Sequence, residues 1–71
     1  MRREPVISSN VKAVGHDAKT STLEVEFNSG AVYQYTGVPK EVYTAMVGAQ
    51  SVGKYFGANV KGVYPFVKIS G

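Results

Sequence analysis

The chain has 71 residues, no cysteine, 44% apolar residues and a net charge of +3. That length holds one domain with a modest buried fraction, and without cysteine neither a disulfide nor a thiolate metal site can staple it. No run of about 18 apolar residues is present to span a membrane. No apolar stretch follows the charged start Met1-Arg2-Arg3-Glu4, so a secretory signal is not expected and the cytoplasm is the expected location.

Residues 1–6 read as a flexible N-terminal arm and residues 7–69 as the single domain. A first strand is expected near Ser9 to His16, carrying Val11 and Val14. Asp17 to Ser21 is a turn by composition. Leu23-Glu24-Val25-Glu26-Phe27 alternates with period two, the pattern of a half-buried strand. After the turn triplet Asn28-Ser29-Gly30, Ala31 to Tyr35 forms a third strand.

Pro39 then opens a helix, because its fixed φ and missing N–H suit the first turn, and Glu41 lies near the positive end of the helix dipole. Val42, Tyr43, Met46 and Val47 give that helix one apolar stripe. Gly48 is expected to end it in a left-handed conformation. Ser51 is placed as the N-cap of a second short helix bearing Val52, Tyr55 and Phe56. Adjacent helical residues diverge by about 100°, so one ring of Tyr55 and Phe56 at most enters the core. Tyr64 to Ile69 is extended and is a candidate for a short C-terminal edge strand, where Pro65 is tolerated. The expected class is α+β: a three-stranded antiparallel meander, then two short helices packed on one face (β-β-β-α-α).

The Asn28-Ser29-Gly30 turn decides which way the tyrosines face. A three-residue loop with Gly30 left-handed pairs Phe27 with Ala31, and then Val25 faces Tyr33 and Leu23 faces Tyr35. A two-residue loop shifts the pairing by one and moves both tyrosines beside Glu24 and Glu26 on the outer face. The first register gathers five large side chains opposite the helix stripe and is the one expected. Tyr33 and Tyr35 are then mainly core, with hydroxyls at the sheet rim.

Catalytic signals are weak. His16 is the lone histidine and reads as an ordinary strand-end residue, since a triad or metal site needs further partners. Glu24 and Glu26 share the strand face opposite Leu23, Val25 and Phe27, which reads as a solvent-facing side. No catalytic residue, metal ligand or cofactor is expected. Ser51-Val52-Gly53-Lys54 lacks the first glycine and the upstream strand of a phosphate-binding loop. The second helix's N-terminus, with Lys54 nearby, is the most specific place for a phosphate.

All five carboxylates lie at or before Glu41, and beyond it the formal side-chain charges are Lys54, Lys61 and Lys68. That basic, aromatic half suits phosphate and stacked bases. The candidate nucleic-acid contacts are Lys54, Lys61 and Lys68, with an exposed Tyr55 or Tyr64 stacking and Arg2 and Arg3 added from the arm.

Several elements also stand in a recognisable order. They are Val14-Gly15-His16-Asp17, the Leu23, Val25 and Phe27 alternation, Tyr33-x-Tyr35, Val38-Pro39, Tyr43, Ser51-x-Gly53-x-Tyr55-Phe56 and Gly62-x-Tyr64-Pro65. The set, from about Ile7 to Ile69, resembles the KTSC family, small domains named after the C-terminal region of some lysyl-tRNA synthetases and also found as stand-alone bacterial and phage-related proteins. In that resemblance Tyr33, Tyr35, Pro39 and Tyr43 are structural motif positions. His16 departs from the aromatic residue often seen there. The resemblance implies no reaction and no catalytic residue, while attachment to a synthetase points to RNA. The expected function is a small non-enzymatic binding module for RNA or other nucleic acid. The alternative is a protein–protein adaptor of bacterial or phage origin, meeting another protein or a second copy through an open sheet edge.

Overall fold

The computed structural model describes residues 3–71. Its elements are β1 (Glu4–Pro5), β2 (Val11–Asp17), β3 (Thr22–Phe27), β4 (Val32–Thr36), α1 (Lys40–Val47), α2 (Val52–Asn59) and β5 (Phe66–Ser70). The strands form one antiparallel sheet in the order β1-β2-β3-β4-β5. The expected three-strand meander is β2-β3-β4, and the sheet extends it at both edges. β5 is the C-terminal edge strand, bonded along β4. β1 falls within the 1–6 segment read as a loose arm, where Glu4 and Pro5 pair with Val14 and Ala13. Arg2 lies outside the described residues.

The tyrosine register is the expected one. Leu23 lies opposite Tyr35, Val25 opposite Tyr33 and Glu24 opposite Gln34. The turn closes with the Phe27 N–H donating to the Ala31 carbonyl at 2.9 Å, and Gly30 has φ +96°, where a side chain would be strained.

β2 departs from strict alternation. A bulge between Val11 and Ala13 lets Val11 pair with Phe27 while Val14 pairs with Val25. Residues three apart therefore point the same way, and both Val11 and Val14 are buried. They join Leu23, Val25, Tyr35, Val38, Met46, Val52, Phe56 and Val60 in the core.

Met46 is the buried residue of the α1 stripe, whereas Val47, expected beside it, is 38% exposed. Pro39 sits at the N-cap position with an extended backbone, one residue before the first helical turn. Gly48 is not left-handed: its φ is −89°, and its N–H donates to the Thr44 carbonyl at 3.2 Å, continuing the helical pattern. α2 begins as expected, with the Ser51 hydroxyl accepting the Lys54 N–H at 3.3 Å. Phe56 enters the core and Tyr55 is half-buried.

The joint from β4 to α1 is held from two sides. Val38 is fully buried. Its N–H donates to the Ser21 carbonyl at 2.8 Å, and its carbonyl accepts from His16 Nε2 at 2.7 Å. The His16 ring also stacks on Tyr43, with centroids 5.6 Å apart. His16 is thus a strut between β2 and the start of α1.

The outer sheet face corrects one expectation. Glu24 does not face solvent but is buried, at 6% exposure. Arg3 is ion-paired to it through Nη1 and lies 3.4 Å from Glu26 through Nε. Gln34 Nε2 donates to the other Glu24 oxygen at 2.9 Å. The arginine and the amide occupy the carboxylate's oxygens, which offsets the cost of taking that polar group out of water.

Candidate functional site

On the inner face the two helices cover only part of the sheet. α1 packs toward β2, α2 packs on α1 and sets Phe56 against Tyr35 of β4, and β5 stays exposed. There the register sets Phe66 opposite Tyr35 and Lys68 opposite Tyr33. The result is an open groove of about 620 Å³ between β3-β4-β5 and α2, with Phe27, Tyr33, Phe66, Gly53, Gly57 and Lys61 among its lining residues. That volume lies within the range typical of small-ligand sites.

The groove floor is aromatic. Phe66 is 5.4 Å from Tyr33 and 5.6 Å from Tyr35, centroid to centroid. Phe27 meets Tyr33 edge-on at 5.6 Å and Phe56 at 5.5 Å. Phe56 meets Tyr35 at 5.4 Å. Such offset and edge-to-face contacts hold rings in fixed orientations. The set is graded by depth. Tyr35 and Phe56 are buried, Tyr33 is half-buried, and Phe66 is 57% exposed.

Burial raises the Tyr35 hydroxyl pKa above its ordinary value, and neighbouring Tyr33 adds to the effect. The Tyr35 hydroxyl is therefore neutral near neutral pH. Burial also raises the Tyr43 pKa, with Glu4 contributing. Among the described residues no carboxylate lines the groove, while Lys61 lines it and Lys68 is exposed across from Tyr33. Its local field is therefore positive.

The candidates named from sequence divide around this groove. Lys61 lines it, and Lys68, opposite Tyr33 on the same sheet face, lies near it without lining it. Lys54 is exposed on α2 but does not line it, and its N–H is taken by the Ser51 cap. Tyr55 and Tyr64 are each half-buried and packed against the core, so neither is the exposed stacking ring expected of it. Arg3 is committed to Glu24 and Glu26 on the opposite face and is not free on an arm.

Sequence reasoning missed Phe66 and undervalued Tyr33. The pairing of β5 with β4 carries the signal for both. An alternating Phe66-x-Lys68 laid beside Tyr33-x-Tyr35 puts two rings and a cation on one face.

Among the described residues no group of three or more His, Asp or Glu side chains is placed to hold a metal ion. No described helix is long and apolar enough to cross a membrane.

Known proteins resemble this chain along most of its length. A family model described as the KTSC domain matches residues 7–64. An uncharacterized protein of Stutzerimonas stutzeri is 45% identical over 56 residues, covering 79% of each chain. A lysine–tRNA ligase of Nostoc punctiforme is 39% identical over 62 residues, covering 87% of this chain but 11% of the ligase. A crystal structure of a KTSC domain protein from Yersinia pestis superposes with a TM-score of 0.94, at 35% identity and 97% coverage of both chains.

Proposed function

The chain belongs to the KTSC domain family, and from that premise we propose that it is a small non-enzymatic binding module whose ligand is nucleic acid. One observation carries the reading: an exposed Phe66 packed 5.4 Å from Tyr33 in a groove that no carboxylate lines among the described residues, with Lys61 in its lining and Lys68 opposite Tyr33. Rings that present a face to solvent next to cations match the combination by which bases and phosphates are held together. The similarity to a segment of a lysine–tRNA ligase supports RNA as the nucleic acid. The chain spans only 11% of that enzyme, and the ligation reaction is no part of the proposal.

Fluorescence anisotropy with short RNA and DNA at low salt tests it. Binding is expected to weaken with salt and to fall when Lys61 and Lys68 are changed to Glu. A flat titration against every nucleic acid would rule the reading out.

A second reading rests on β5 itself. The strand pairs on one side only, and Val67 and Ile69 are 63% and 48% exposed. Such an edge can accept an extended segment of another protein or a second copy. Light scattering and a pull-down that holds at high salt would favour this adaptor role.

A further inference from the structure

Resting on the nucleic-acid reading, we infer that the groove takes an unpaired base, and that Gly57 is glycine to leave room for it. α2 carries two glycines one turn apart, Gly53 and Gly57, and both line the groove. The fold accounts for Gly53, since a Cβ there would lie 3.1 Å from the Ser8 hydroxyl. It does not account for Gly57. A Cβ there would meet nothing within 4 Å, and its backbone is not in the left-handed region. Glycine inside a helix is nonetheless disfavoured against alanine. The fold therefore carries at Gly57 a residue that weakens α2 without a packing reason, on the wall facing the aromatic floor.

The occupant follows from the floor and its charges. Phe66 and Tyr33 present an apolar ring surface partly open to solvent. A paired base inside a duplex has no free face to lay on it, whereas an unpaired base has two. Lys61 and Lys68 flank the floor and suit the phosphates on either side of such a base. The far end of the groove, at Ser9, Asn10 and Ser29, carries exposed hydroxyl and amide groups. These are the donors and acceptors that read the edge of a splayed base. A base thus enters between α2 and β5, stacks on the Phe66–Tyr33 surface and turns its edge toward that polar end.

The test compares single-stranded and duplex oligonucleotides of one sequence, as RNA and as DNA, with three proteins. Wild type is expected to bind single strands at least tenfold more tightly than duplex. Gly57→Ala is expected to raise the melting temperature by about 4–8 °C and yet to lose about tenfold in single-strand affinity. Phe66→Leu, which keeps an apolar side chain, is expected to lose a similar factor through lost stacking; it carries the test should Gly57→Ala not fold. Equal affinity for duplex and single strand would overturn the inference, as would a folded Gly57→Ala that binds like wild type. In either case loss of binding on changing Lys61 and Lys68 to Glu would leave the broader reading standing. No binding to any of the four nucleic acids would remove both.

Discussion

Arg3 closes over the buried carboxylate of Glu24 on the middle strand of the sheet, 21 residues further along the chain. The pair couples the residue just before β1, an edge strand of two residues, to β3. Removing one member of a fully buried pair costs about 3–5 kcal/mol. The Arg3 side chain is 32% exposed, so water screens part of the interaction. Arg3→Ala is therefore expected to destabilise the fold by about 1–2 kcal/mol. Adding Glu24→Gln should recover part of that loss, because the orphaned charge goes with it. Urea unfolding of the two single variants and the double variant checks the coupling, and additive effects would contradict it.

The His16 strut makes a second prediction. His16→Phe keeps a ring to stack on Tyr43 but leaves the Val38 carbonyl without that donor. A lost buried hydrogen-bond partner costs about 1–3 kcal/mol. The denaturation midpoint should fall with an unchanged slope, since the exposed surface on unfolding stays the same.

Alkaline pH makes a third. Tyr35 and Tyr43 both have folded-state pKa values raised above the ordinary 10.0. Below the unfolded value each ring is neutral in both states, and its contribution to stability is fully present. As pH rises past about 10 the unfolded chain ionises first and stability falls, until the folded pKa is passed. Denaturation between pH 9 and pH 11.5 should show this decline. Tyr35→Phe should reduce its steepness, and an unchanged pH dependence would contradict the assignment.

Salt dependence separates the lysines. Each phosphate contact with a single strand contributes about 0.7 to the slope of log affinity against log salt. Lys61→Ala with Lys68→Ala should therefore flatten the slope by about 1.4. Lys54→Ala, off the groove, should leave it nearly unchanged. Titrations at several salt concentrations distinguish the two variants.

Much of the fold was legible because local chemistry and tertiary structure agree. The Asn28-Ser29-Gly30 turn set the register, and Ser51 set the start of α2. The departures came where partners distant in sequence decide. Glu24 alternates like a solvent residue, and the return of Arg3, with Gln34 beside it, buries it. Val11 and Val14 break the strand period through a bulge that no single residue announces. Gly48 needs no left-handed turn, because the helical bonding runs on through it. The groove was half legible: its lysines were visible in the charge distribution. Its aromatic floor depends on β5 lying beside β4, a pairing that brings Phe66 and Tyr35 together across 31 positions of chain.

The double hold on Val38 has a kinetic meaning. Both of its partners, Ser21 and His16, belong to the β2–β3 hairpin. Until that hairpin exists, nothing fixes the direction in which α1 leaves the sheet. Hairpin contacts also close short loops, which form early and lose little entropy. The meander is therefore expected to assemble first and α1 to dock afterwards. Substitutions within the β2–β3 pairing should slow folding, while those at Val38 or Met46 should chiefly speed unfolding.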